Sequence, residues 1–264
     1  MALRAVIFDY GHTFLDFGLA EDELLACYEE VHGMLAQHGG PDMPPADDLF
    51  RDVSRHIEAE VRDSYDRRDL AEADLVALYE RRFSRFGWNV PEPLVRQIVE
   101  MEHQALSQNL IVEQANIDVL KDLRARGLKI GLISNAHYLG HMMRRDLERL
   151  GILSLVNEAL ISSEIGMRKP HPQVFLTVLE RLGLDGREAI MVGDRLRDDI
   201  AGAKALGMRG ILTREFRKEE LGSYPIEPDL VVEKLPEIVP YIDSLLEAEQ
   251  PDHPDNMRRH PGRS

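Results

Sequence analysis

The rhythm of apolar and polar positions changes twice along the chain. Residues 4–8 (RAVIF) form an apolar run of strand length. From about Ala20 to Asn109 apolar positions recur at helical spacing, in EDELLACYEEVHGMLAQHG, DDLFRDVSRHIEAEVRDSY, EADLVALYERRFSRFG and PLVRQIVEMEHQAL. GGPDMPP and GWNVPEP interrupt them, and no strand pattern intervenes. After about Leu110 short apolar runs alternate with helical ones. The runs LKIGLIS (128–134), EALIS (158–162), AIMVGD (189–194), RGILT (209–213) and DLVV (229–232) predict strands. ANIDVLKDLRARG, LGHMMRRDLERLG, PQVFLTVLERLG and RDDIAGAKALG predict helices, each running up to a Gly as helices often do.

Strand–helix alternation with short apolar strands predicts an α/β fold with a doubly wound parallel sheet. The first strand joins the later ones, so the helical stretch is an all-helical insertion in one α/β core. The expected division is a core of residues 1–16 and 110–246 and a helical cap of residues 17–109. Residues 247–264 are polar, carry Pro251, Pro254 and Pro261, and read as a disordered tail. Phe14–Ala20 links core to cap and is the expected hinge, with Gly18 as a flexible point.

Composition changes this picture little. The chain of 264 residues is 44% hydrophobic and 30% charged, ordinary for a soluble globular protein. No apolar run approaches the roughly 18 residues that span a bilayer. The N-terminus has no signal-peptide pattern. A single cysteine, Cys27, excludes an intrachain disulfide and fits a cytoplasmic setting. The formal charge of −15 repels nucleic acid and anionic membranes, so neither is an expected partner. A monomer and a homodimer both fit. A small anionic substrate would need a local positive site.

Ligands of a doubly wound sheet bind beyond the carboxyl ends of its strands. Those ends carry Asp9-Tyr10-Gly11-His12-Thr13, Ser134-Asn135, Arg168-Lys169-Pro170 and Gly193-Asp194, the last followed by Asp198-Asp199. Hard carboxylate oxygens suit Mg2+. A hydroxyl, backbone N–H groups and an ammonium suit phosphate.

In FDYGHT, LISN, RKPHPQVF and VGDRLRDDIAGAKALGM, taken in order, the chain resembles the haloacid dehalogenase-like hydrolases with a helical cap after the first strand. The resemblance covers roughly residues 3–240. It implies that Asp9 is a nucleophile forming an aspartyl-phosphate and a ligand of Mg2+. It implies metal ligation by the Gly11 backbone carbonyl and by Asp194, with Asp199, alone or together with Asp198, holding metal-bound waters or the lysine. It implies phosphate binding by Ser134, by the Asn135 backbone N–H and by Lys169. The expected substrate is a small phosphorylated metabolite.

One position departs from the pattern. Phosphatases of this family usually carry an aspartate acid/base two residues after the nucleophile, and this chain has Gly11 there. Such a group is typically worth about 10²–10⁴ in rate. His12, next in sequence, is the candidate substitute, with His137 and the cap histidines behind it. A slow enzyme, or one acting on good leaving groups, is the other option. A metal-free dehalogenase would also lack the aspartate, but the acids 194, 198 and 199 argue against it. A Schiff-base mechanism needs a cap lysine, and no lysine precedes Lys121. A scaffold that binds a phosphorylated ligand without turnover is the non-enzymatic alternative. Arg55, His56, Arg62, Arg67 and Arg68 are cap cations, of which one or two should face the rim.

Overall fold

The computed structural model describes residues 2–38 and 43–248. The chain begins with β1 (Ala5–Asp9) and a two-residue strand, β2 (Asp16–Phe17). Helices α1 (Glu21–Leu35), α2 (Ala46–Phe50), α3 (His56–Asp66), α4 (Leu75–Arg85) and α5 (Glu92–Ser107) follow, with a π-helical turn, Arg51–Arg55, joining α2 to α3. A second two-residue strand, β3 (Leu110–Ile111), leads to α6 (Gln114–Ala125), β4 (Lys129–Ser134), α7 (Gly140–Arg149) and β5 (Glu158–Ile161). The chain continues through α8 (Pro172–Leu182), β6 (Ala189–Gly193), α9 (Gly202–Lys204), β7 (Arg209–Thr213), β8 (Leu230–Val232) and α10 (Ile238–Ala248).

Six strands pair in the order β5-β4-β1-β6-β7-β8, and every pairing is parallel. The α/β class expected from the pattern is the observed one. All five residues of β1 are buried, as a central parallel strand requires when helices cover both faces. Alternate residues serve opposite layers. Val6 and Phe8 pack into a cluster with Val119, Leu123, Leu147 and Ile242. Ala5 and Ile7 pack into another with Val174, Phe175, Val178 and Ala203. Each such buried aliphatic side chain contributes about 1.5–3 kcal/mol.

From β1 the chain winds outward through β4 and β5, then returns to the other side of β1 with β6. The switch point, where loops on the two flanks diverge, therefore lies between β1 and β6. Asp9 ends one of these strands and Asp194 follows the other. Register keeps the ends level, with Asp9 opposite Ile133 and Phe8 opposite Val192.

Helices α1–α5 bury a cluster of their own, including Tyr28, Val31, Phe50, Tyr79, Phe83 and Ile98. The two chain segments that join them to the sheet run side by side, because β2 and β3 form an antiparallel pair. This ribbon was not anticipated, since two-residue strands carry no alternation to detect. The Gly18 N–H donates to Asn109 O (2.8 Å), so Gly18 is tied into this junction. Among the described residues no helix is long and apolar enough to cross a membrane. The expected disordered tail begins within α10, which holds residues 247 and 248. Its remainder lies outside the described residues.

Candidate functional site

The β1 end sets the centre of the site. Lys169 Nζ donates to Asp9 Oδ1 (2.5 Å), to Asp199 Oδ1 (2.7 Å) and to Ile133 O (3.2 Å). Lys169, Asp9, Asp194 and Asp199 are all buried. Attraction across such distances is worth roughly 6 kcal/mol per contact at an effective dielectric near 20, against a desolvation penalty of several kcal/mol per ion. Two contacts therefore keep Lys169 charged. Burial would lower its pKa, but Asp199 and Asp9 outweigh burial and hold it above its usual range.

The carboxylates are less well compensated. Burial raises Asp9, with Lys169 opposing and Asp194 adding to the shift. Burial and the charge of Asp199 raise Asp194. Burial pushes Asp199 up to about 6, despite Lys169. Oxygens of Asp9, Asp194 and Asp199 all lie within 4.8 Å of one another. Asp198 Oδ1 is buried without a hydrogen-bond partner among the described residues. A surplus of hard, closely spaced oxygens fits a divalent cation.

Local structure delivers these groups. After Gly193 the chain enters a π-helical turn, Leu196–Ala201, where an α-helix was expected from the pattern. The Asp199 carboxylate accepts from Arg195 N (3.0 Å), and both Asp199 N and Ile200 N donate to Arg195 O. The widened turn puts Asp199 against the strand end, and a Cβ on Gly193 would fall 2.3 Å from Asp199 Cγ. Asn135 and Lys169 are locked reciprocally. The Lys169 N–H donates to Asn135 Oδ1 (2.7 Å), and Asn135 Nδ2 donates to Lys169 O (3.1 Å). The Asn135 side chain therefore positions the lysine, leaving the expected phosphate contact to its backbone. Ser134 is buried in the wall of the cavity above the site.

That cavity measures about 620 Å³ and runs from the carboxylates to the helical insertion. Asp9, Gly11, His12, Ser134, Asn135, Lys169, Asp194, Asp198 and Asp199 all line it, so the rim expected from sequence is brought together. Of the five insertion cations, only Arg55 lines it, and it is paired with Glu21 (3.2 Å) and Glu58 (3.0 Å). His171 caps α8, accepting from Gln173 N.

Three features were not read from sequence. Phe17 occupies the space over Gly11, where an added Cβ would fall 2.7 Å from the Phe17 ring. His12 takes a left-handed backbone conformation (φ 59°), and its Nδ1 lies 2.8 Å from Asp16 Oδ1 while its ring meets Phe17 edge-on. Among the described residues no hydrogen bond engages its Nε2. Arg217 Nε donates to Asp194 Oδ2 (2.5 Å) from the loop after β7, where no motif marks it. His137 is pushed down to about 4 by burial and by Arg168, so at neutral pH it is uncharged and has no proton to spare as an acid.

A family model for haloacid dehalogenase-like hydrolases matches residues 3–207. A glyceraldehyde 3-phosphate phosphatase of Methanopyrus kandleri is 29% identical over 220 residues, covering 83% of this chain and 76% of that one. A phosphoserine phosphatase of Thermus thermophilus is 34% identical over 120 residues, 45% of this chain and 46% of that one. Two solved structures share the fold at 24% identity. One is a phosphatase from Thermococcus onnurineus (TM-score 0.61, covering 91% and 98% of the two chains). The other is a 2-haloacid dehalogenase from Pseudomonas syringae pv. Tomato (TM-score 0.66, 92% and 98%).

The raised Asp199 carboxyl has a testable consequence. Its pKa is about 6 in the folded protein against an ordinary 3.8, so the folded state binds the proton more tightly. The stability it contributes is full below about pH 4 and is lost as pH rises through about 6. In chelator, the melting temperature of the wild type should fall between pH 4 and 6 relative to Asp199→Asn. Parallel curves for the two proteins would contradict the assignment.

Proposed function

The chain belongs to the haloacid dehalogenase-like hydrolases, and from that premise we propose that it is a Mg2+-dependent phosphohydrolase of small phosphorylated metabolites, working through an aspartyl-phosphate on Asp9. The observation that carries this reading is the Asp9 carboxylate at the switch point, held by Lys169 at 2.5 Å within a cluster of under-compensated acids. The phosphatase names of the relatives support it.

In this reading an Asp9 oxygen attacks phosphorus, the bond to the leaving oxygen breaks, and the leaving oxygen takes a proton. Water then cleaves the acyl phosphate. Lys169, the Ser134 hydroxyl and the Asn135 backbone N–H stabilise charge on the transferring oxygens. Asp9, Asp194 and the Gly11 carbonyl would hold Mg2+, with Asp199 fixing Lys169 and Asp198 nearby. When bound, Mg2+ withdraws charge from the phosphoryl group. The helical insertion closes the cavity as a cap and selects the leaving group.

The proton is the step for which Gly11 supplies nothing. His12 is the proposed partial substitute. Its Nδ1 contact with Asp16 leaves Nε2 available, and His12 lines the same cavity as Asp9. Metal binding needs only the Gly11 carbonyl, whereas acid–base catalysis needs a side chain, and Phe17 fills the space a side chain would take.

Three outcomes follow from this assignment. A phosphate-release screen over sugar phosphates, phosphoglycolate, nucleotides and acyl phosphates should give turnover with Mg2+ that is lost in EDTA and in Asp9→Asn. Metal-independent halide release from a 2-haloacid would instead favour the dehalogenase reading, which the neighbour from Pseudomonas keeps open. His12→Ala should lower turnover by about 10², the low end of general acid–base catalysis, and alter its pH profile. An unchanged rate and profile would remove His12 from the mechanism. Gly11→Asp alone should gain little on alkyl phosphates because Phe17 blocks it, whereas Gly11→Asp with Phe17→Ala should gain clearly. If the double variant shows no gain, the missing acid is not what limits the enzyme.

A further inference from the structure

Arg168 precedes Lys169 and is among the most deeply buried large side chains, at 2% exposure. Its partners are not in the sheet but in the last turns of α3 and the segment between α3 and α4 of the helical insertion. Nη2 donates to Ser64 Oγ (3.1 Å) and Ala71 O (2.7 Å) and lies 3.3 Å from Glu72 Oε1. The guanidinium carbon stands 3.9 Å from the ring centre of Tyr65, which lines the cavity. Backbone contacts reinforce the junction. Arg168 N donates to Leu70 O, Glu72 N donates to Gly166 O (both 2.9 Å), and Ala71 bridges Met167.

Glu72 reaches a second loop of the site. Its side chain is 1% exposed, and its Oε2 accepts from Ser162 Oγ (2.5 Å). That same Ser162 Oγ accepts from Ala136 N (2.8 Å), two residues after Ser134. One carboxylate of the insertion is thus joined to the loop carrying Lys169 and, through Ser162, to the loop carrying Ser134 and Asn135. Those two loops are themselves tied by the Asn135–Lys169 pair.

We propose that Glu72 and Arg168 form a latch by which docking of the helical insertion positions Lys169 and the Ser134–Ala136 loop for phosphoryl transfer. Both are positioning residues. The inference rests on the phosphohydrolase reading for its catalytic consequence and on the geometry alone for its structural one. A buried ion pair is a poor source of stability, since apolar residues of like volume often do as well. A pair placed between the insertion and two site loops is suited instead to coupling them. When the insertion lifts, Arg168 loses its counter-charge and the lysine loop loses its fixed neighbour. The phosphate cradle is then complete only when the cavity is closed over a substrate.

The test uses the full chain with Mg2+ and acetyl phosphate and 4-nitrophenyl phosphate as probes. Glu72→Gln and Arg168→Lys should each lower kcat by about 10², the cost of a small misplacement, with KM little changed. The double variant Glu72→Leu/Arg168→Met removes both charges. It should recover the wild-type melting temperature while kcat stays low. Recovery of kcat together with stability would reduce the pair to a structural element and overturn the proposal. Hydrogen exchange supplies a readout independent of turnover. Amides of Ala136 and Lys169 should exchange faster in all three variants, and unchanged exchange would also overturn it. If the wild type releases no phosphate from either probe or from any compound of the screen above, the phosphohydrolase reading fails, and the exchange data alone decide the latch.

Discussion

The structure turns on an imbalance of charge at one point. Four carboxylates, Asp9, Asp194, Asp198 and Asp199, gather at the switch point of a parallel sheet, with the buried ammonium of Lys169 among them. The lysine satisfies Asp9 and Asp199, and Arg217 reaches Asp194. Burial, with the carboxylates' mutual repulsion added, still raises the pKa of Asp9, Asp194 and Asp199, and closely spaced acids of this kind favour a bound cation. Parallel strands make the gathering possible, since their carboxyl ends share one edge and the loops part where the winding reverses, leaving a crevice there.

Around this centre the molecule spends its glycines and its buried arginine on access and order. Gly193 admits Asp199 to the strand end. Gly11 leaves a space that Phe17 fills, so the same small residue removes an acid and makes room for an aromatic wall. The exchange couples chemistry to the junction with the helical insertion, because Phe17 lies in the short ribbon of β2 with β3. A second coupling runs through Arg168 and Glu72. The insertion also grips the core elsewhere, where His103 of α5 meets Asp146 of α7 at 2.9 Å. The insertion therefore contacts the core both beside the lysine loop and along α7.

Much of this was legible in the chain. Periodicity alone separated a helical stretch from a strand–helix alternation, because burial on both faces makes parallel strands read as unbroken apolar runs while helices show one stripe. The strands fell within a residue or so of their observed bounds. Asp9, Ser134, Asn135, Lys169, Asp194 and Asp199 were locatable because each stands at a strand end or in the turn beyond it, and the fold places all strand ends of a parallel sheet on one rim. That follows from local pattern and topology, and needs no knowledge of packing.

Tertiary structure decided the rest. No periodicity says that Phe17 covers Gly11, that Asn135 spends its side chain on Lys169, or that Arg217 comes from beyond β7 to Asp194, since each contact joins residues whose separation carries no repeat. Arg168 and Glu72 are 96 positions apart, and nothing in the sequence links them. Only burial of both against the same two loops makes them a pair. Asp9 and its neighbours were determined by sequence because backbone topology carries them to one edge. Their partners were decided by packing, because a side chain's neighbours depend on how whole layers dock and not on the order of residues along the chain.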